Sequence, residues 1–385
     1  MNFGIICEFN PFHSGHKYLF DTARALGAQN IICAMSGNAV QRGELALTDK
    51  YLRAKSALKN GADLVLELPF PWSASSAEYF ASAGIRALLP YCNAIIFGSE
   101  CGDIEILQRA ADIALTKEFS SELEERKKKG EGAAAAYFSL IEKYVGVKLS
   151  SNDILGVEYI KAAKKIGARL EFYTVRRMGS AYRENNIQEG MLPSASAIRQ
   201  AIREGDGSAE KYIDEFIGLA VGGQLITDIS NIERALLLQF RLSEASEISC
   251  YAECDGGIAE RICASARENA DIKSFWEAVR TKRYTDAKLS RAILFSLTRV
   301  KRELLSRSPD YLYLLAANDM GRALLSSVRK SGAENMIQIV TKPADVPRES
   351  AQFMAEERLN AIFSLASHKA FSMGEAYRKN AFIIK

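Results

Sequence analysis

The chain has 385 residues, with 50 lysines and arginines against 47 aspartates and glutamates, 48% hydrophobic and 25% charged residues. At roughly 100 to 200 residues per domain this length predicts two domains or three. The composition excludes extended disorder, and the near-balanced charge means that a polyanionic partner must be argued from local clusters. No apolar run approaches the ~20 residues that span a bilayer, the first residues carry no basic leader or small-residue cleavage pattern, and seven scattered cysteines do not read as a disulfide framework. A cytoplasmic protein with reduced thiols and no membrane partner is expected.

Short apolar runs predict strands at Phe3–Phe9, Asn30–Met35, Asp63–Leu68, Asn93–Phe97 and Arg169–Val175. Helix-period segments separate them, such as Leu19, Phe20, Ala23 and Leu26 before a stop at Gly27. Alternation of this kind predicts a doubly wound α/β domain around a parallel sheet, over residues 1–205. A charged, alanine-rich stretch at Lys117–Tyr144 predicts an exposed helical pair before the last of these strands. Beyond the GDGS and VGGQ turns the strand signal fades, and long amphipathic helices are predicted at Ile232–Phe240, Ile258–Asn269 and Thr285–Leu305. Residues 206–385 therefore read as a mainly helical domain. Its end adds a minor α/β element formed by YLYLLAAN, a helix over Gly321–Lys330 and MIQIVTKP.

Chemistry concentrates where the first strand ends. Two of the chain's three histidines, His13 and His16, stand three apart in NPFHSGHKYLF. A loop that leaves a buried strand and opens a helix offers free N–H groups and a positive dipole, and Gly15 lets backbone approach a ligand closely, so the segment predicts a phosphate site. The two imidazoles can donate hydrogen bonds to a phosphoryl group and stabilise charge that develops in a displacement there. Capping or packing alone is the alternative use of these histidines, and the ordered string of strand, Asn-Pro, HxGH and helix weighs against it.

At this point the chain resembles the HxGH nucleotidyltransferase superfamily, whose members bind ATP on a Rossmann-like domain. The second signature of that superfamily is matched by PSASAIR, Pro193–Arg199: Ser194 or Ser196 would cap a helix and bind phosphate oxygens, and Arg199 would neutralise the leaving pyrophosphate. The segments GIICEFNPFHSGH, MSGNAVQRGE, GADLVLELP, FGSE and SNDILGVEYIKA, with KRYTDAKLSR further on, narrow the likeness to the bacterial tRNA(Met) cytidine acetate ligase family. That resemblance implies an enzyme that joins ATP and acetate into acetyl-adenylate and passes the acetyl group to the wobble cytidine of elongator tRNA(Met). Carried over by matching positions, the ATP contacts would be Cys7, Glu8, Phe9, Asn10, Pro11, Phe12, His13, Ser14, Gly15, His16, Lys17, Tyr18 and Leu19, then Gly98, Asn152 and Arg177, with Arg176 as an adjacent alternative. His13, His16 and Arg199 would be catalytic. Asn152 also reads as the N-cap of a helix from Asp153. No carboxylate cluster predicts a protein-held metal, although Mg2+ can travel with the ATP. The stretch Glu253–Ile262 departs from the family's pattern, and no role is carried to it.

The loop Gln41–Glu44 suggests contact with substrate or with the tRNA end; the alternative is a solvated loop. The segment Lys282–Arg307 holds eight lysines and arginines against Asp286 and Glu303, with Tyr284 among them, and suits a tRNA backbone; the alternative is a solvated helix packed through Leu289, Ile293, Leu297 and Val300. Two other functions compete. A small-molecule adenylyltransferase shares HxGH and SxxxR but needs no large helical domain, and an RNA-binding module with a vestigial nucleotide site is opposed by intact His13, His16 and Arg199.

Overall fold

The computed structural model describes residues 1–177, 193–332, 336–347, 349–375 and 377–384. Its ten strands are β1 (Asn2–Cys7), β2 (Asn30–Ser36), β3 (Ala39–Val40), β4 (Glu44–Leu45), β5 (Leu64–Leu68), β6 (Ala94–Ser99), β7 (Glu171–Arg176), β8 (Tyr311–Ala317), β9 (Gln338–Val340) and β10 (Phe382–Ile383). Eight of them form one sheet in the order β10-β8-β5-β2-β1-β6-β7, with β9 beside β8. The strands β5, β2, β1, β6 and β7 are mutually parallel and lie close to the bounds that the apolar runs predict. The two-residue strands β3 and β4 make a separate hairpin.

The strands β1, β2, β5 and β6 are almost wholly buried because both faces are covered. On one face Phe3, Ile5, Ile31, Cys33 and Val65 pack with Phe20 and Ala23 of helix α1 (Ser14–Ala25) and with Ala54, Ala57 and Leu58 of α2 (Lys50–Lys59). On the other, Ile6, Ile32, Leu64 and Leu66 pack with α3 (Ala77–Leu88) and with Val157 and Ile160 of the helix Ser151–Lys165. A Cβ at Gly84 would stand 2.7 Å from Ile6 Cδ1, so α3 lies against the sheet only because that position is glycine. The chain goes from β1 to β2 through α1 on one face, then comes back through α3 on the other face to β6, on β1's free side. This reversal of strand order opens a crevice at the carboxyl ends of β1 and β6, where ligands of such sheets bind.

Residues 236–293 carry a second core, in which Leu236, Phe240, Ile262, Phe275, Val279 and Leu289 pack together. Two features differ from what the sequence predicts. The expected helix Thr285–Leu305 is broken: it runs over Asp286–Thr298, Arg299 turns left-handed at φ 55, and a short helix follows at Arg302–Leu305. The amide of Val300 reaches back to Phe295 O at 2.9 Å and ends the helix without the glycine that would have signalled it. The minor α/β element expected near the end exists, but β8 pairs antiparallel with β5 and β10 pairs with β8, so it extends the sheet of the first half. Pairing partners so far apart in the chain leave no local trace in sequence. No described helix is long and apolar enough to cross a membrane.

Candidate active site

The crevice is lined first by the loop after β1. His13 is the N-cap of α1, and its Nδ1 accepts from the Gly15 amide at 3.0 Å, while His16 Nδ1 accepts from the His13 amide at 3.2 Å. Each imidazole therefore does cap the helix. The two Nδ1 atoms being acceptors, neutral rings carry their proton on Nε2, which stays available as a donor. The rings lie 3.9 Å apart, and Phe9 and Phe12 pack against His16. Burial, with the Arg177 and Arg199 charges, holds His13 down to about 4; burial and the charges of His13 and Arg177 keep His16 well below its usual value. Both rings are thus neutral donors at physiological pH.

The rest of the loop divides into supports and surface. Cys7, Phe9, Asn10, Pro11 and Phe12 are buried, with Phe9 at φ 44. Asn10 Oδ1 accepts from the Leu47 amide at 2.7 Å, whereas its buried Nδ2 has no partner. Glu8 accepts from the Gln41 amide at 2.8 Å, which ties the tip of the β3–β4 hairpin to the loop; burial pushes this carboxyl up. Ser14 is exposed, Leu19 half-buried, and Lys17 is paired with Asp21 on the outer side of α1 beside the exposed Tyr18.

Positive charge arrives from two other elements. Ser194 caps the helix Ala195–Glu204 by accepting from the Ala197 amide at 3.1 Å. One turn on, Arg199 donates to Asn10 O at 2.8 Å and Ser196 Oγ at 3.2 Å, with Glu44 at 3.8 Å, so SASAIR is joined to the NPFH loop directly. At the end of β7, Arg177 rather than Arg176 faces the histidines: a Cβ at Gly98 would meet Arg177 Cγ at 3.2 Å, while Arg176 packs over Gly102. Glu100 gathers this side. Its carboxylate lies 3.4 Å from Arg177 Nε, accepts from Asn152 Nδ2 at 2.6 Å and from Ser150 Oγ. Against expectation, Asn152 does not cap its helix; Ser150 does, and Asn152 sits inside the first turn, where its amide is free to bond Glu100. The one sequence signal for Glu100 is its place just past a strand end, in FGSE.

Two buried groups behind the site carried no sequence signal at all. Arg53, on α2, is wholly buried and donates to Thr48 O at 3.1 Å, Glu8 O at 2.5 Å and Gly37 O, joining the loops after β1 and β2. Lys50 pairs with Glu67 at 2.6 Å; burial opposes its charge but Glu67 outweighs that and keeps the ammonium above its usual range. Among the described residues no group of three or more His, Cys, Asp or Glu is placed to hold a metal ion.

Within the basic segment Lys282–Arg307, part of the charge is drawn to nearby carboxylates. Arg291 is buried and paired with Glu253 at 3.2 Å, and Lys288 lies 3.0 Å from Asp255. The tyrosine is engaged as well: Tyr284 donates to Gly256 O at 2.7 Å and lies under Arg283 and Lys288. The departing stretch at Glu253 thus supplies the carboxylates that pair with Lys288, Arg291 and Arg302. Nor is the segment remote from the crevice, since a Cβ on Gly43 of the β3–β4 turn would strike Arg291 N at 2.4 Å.

A family profile described as HIGH Nucleotidyl Transferase matches residues 1–376. The tRNA(Met) cytidine acetate ligase of Clostridium perfringens (strain ATCC 13124) is 32% identical over 362 residues, covering 88% of this chain and 90% of that protein. The crystal structure of Thermotoga maritima TmcAL in its apo form I superposes with a TM-score of 0.90 at 30% identity, and form II, bound with alpha-thio ATP, with 0.87 at 30%; each covers 100% of both chains.

Proposed function

The chain belongs to the tRNA(Met) cytidine acetate ligase family of HIGH nucleotidyl transferases, and from that premise we propose that it activates acetate with ATP and acetylates the wobble cytidine of elongator tRNA(Met) in the cytoplasm. The observation that carries this reading is the crevice itself: two neutral imidazoles with free Nε2–H groups, flanked by Arg199 and Arg177, around a helix N-terminus. Such a site supplies donors and positive charge to phosphate, as attack by a carboxylate on an α-phosphate requires. Acetate oxygen forms the new bond to the α-phosphorus, pyrophosphate leaves, and His13 and His16 donate to the α-phosphate oxygens as charge builds. Arg199 faces the departing pyrophosphate, and Arg177, oriented by Glu100, meets phosphate or the acetate carboxylate. In the second step the exocyclic amine of cytidine attacks the acyl carbon and AMP leaves. Mg2+ enters with the triphosphate as part of the substrate.

We assign ATP chemistry to residues 1–205 and tRNA recognition chiefly to 206–385. Incubation with ATP, labelled acetate and bulk tRNA, followed by nuclease digestion, tests the whole reading. Label in acetylcytidine is expected, dependent on ATP. Transfer and retention of AMP on a small acceptor, with no label in RNA, would overturn it in favour of an adenylyltransferase.

A further inference from the structure

Away from the crevice, α3, the helix Ser151–Lys165 and the segment Leu305–Pro309 enclose a cleft of about 210 Å³. Four cations line it, Arg86, Lys161, Lys165 and Arg307, against two carboxylates, Glu78 and Glu158, an excess of two positive charges. The carboxylates are already used: Glu158 takes Lys161 at 2.7 Å and Glu78 takes Lys165 at 2.7 Å. Arg86 and Arg307, both exposed, have no carboxylate partner among the described residues. Ser306 and Ser308 add hydroxyls on the same wall. That wall is fixed in place, because the indole of the buried Trp72 donates to Leu305 O at 3.2 Å and to Arg307 O at 3.0 Å.

We propose that this cleft holds a backbone phosphate of the tRNA, an inference that rests on the functional reading above. Two guanidinium groups without carboxylate partners beside hydroxyl donors match the chemistry of a phosphodiester. Size decides between the sources of phosphate: small-molecule pockets run from about 300 Å³ upward, so the cleft takes one phosphate of a strand crossing its mouth and not a whole nucleotide. Position agrees. The turn that carries Trp72 also carries Ser75, whose carbonyl accepts from Gln41 Nε2 at 3.2 Å, so one turn separates the cleft from the hairpin that Glu8 and Arg199 contact. A strand presenting its base at that hairpin runs on over the cleft, and recognition draws on both parts of the chain, Arg86 from one and Arg307 from the other.

The test uses the full chain, with Arg86→Ala, Arg307→Ala, the double variant and Arg86→Lys. Retention of tRNA is measured at several salt concentrations, alongside ATP binding. The double variant should bind tRNA about tenfold more weakly near 0.1 M salt, with the log-log salt slope reduced by roughly 0.7 to 0.9 for each arginine–phosphate pair removed. Arg86→Lys, which keeps the charge, should retain the wild-type slope. Wild-type affinity and slope in the double variant, from a wild type that does acetylate tRNA, overturn this proposal alone. Loss of ATP binding with tRNA affinity unchanged also overturns it, making the cleft a nucleotide subsite. A wild type that leaves tRNA unbound overturns the proposal and the functional reading together.

Discussion

Arg199 and Arg291 are almost equally buried, at 12% and 10% side-chain exposure, yet they serve opposite ends. In the middle of the helix Ala195–Glu204, Arg199 is held by a carbonyl and a hydroxyl, with its nearest carboxylate at 3.8 Å. In the helix Asp286–Thr298, Arg291 is spent on Glu253 at 3.2 Å. Neutral acceptors orient a guanidinium without cancelling its charge, whereas a buried carboxylate cancels most of it. Local abundance of arginine in sequence is therefore a poor guide to where positive charge is available. The partner decides.

The sharpest break would come from rate. Arg199→Ala should lower acetyl-adenylate formation by about 10³-fold, the upper range for removing one transition-state contact, with the melting temperature little changed. Arg291→Ala should leave that rate within about threefold, as befits a group outside the reacting shell. Pyrophosphate release followed in both variants decides it, and equal losses would erase the distinction.

Next in size is the histidine pair, where His13→Ala and His16→Ala should each cost about 10²-fold in the same assay. Because both rings are neutral, the pH profile should show no inflection near 6.5. Stability carries the complementary sign. The unfolded chain binds a proton at His13 near pH 6.5 while the folded chain resists until about 4, so stability falls as pH drops through that window. Urea titrations of His13→Asn at pH 7 and pH 5 should show a smaller loss between the two than wild type; an equal loss would mean that His13 is not held neutral.

Arg291 is expected to act on stability instead. Arg291→Ala leaves the half-buried Glu253 with Lys288 at 3.8 Å as its remaining cation among the described residues, and should cost about 3 kcal/mol by denaturant titration. Replacing both partners, Arg291→Met with Glu253→Leu, should regain most of it, since an apolar pair carries no desolvation cost. Failure of the double variant to recover would give Arg291 a role beyond its ion pair. The smallest effect belongs to Arg299, whose φ of 55 a glycine adopts without strain. Arg299→Gly should shift the same titration by no more than about 1 kcal/mol, in the stabilising direction.

What was legible in the sequence follows from range. The parallel strands and the HSGH loop are written in runs of a few residues, so Ile5, Ile31 and Val65 could be placed in the core and His13 at the mouth of α1 from their neighbours alone. SASAIR, some 180 residues further on, became readable through a family resemblance and not through any local mark. Arg53 shows the limit. In sequence it is one basic residue on a helix; only the converging carbonyls of Glu8, Gly37 and Thr48 make it the tie between two loops. Glu100 failed to stand out for the same reason, since its partners Arg177, Ser150 and Asn152 lie 50 or more residues away. The unused charge on Arg86 and Arg307 is equally invisible until the carboxylates that might have neutralised it are seen to be taken.

The place of β8 against β5 has a bearing on how the protein is made. Until β8 has been synthesised, a sheet built from β5, β2, β1, β6 and β7 would present Leu64–Leu68 as its rim, because β8 is the neighbour on that side. Such a rim is a template for another nascent chain. Tyr311, Leu315 and Ala316, all wholly buried in the finished protein, arrive only after most of the polypeptide has emerged. Chaperone dependence and aggregation of prematurely terminated chains should therefore peak for products that stop short of residue 311 and fall once β8 can reach its place.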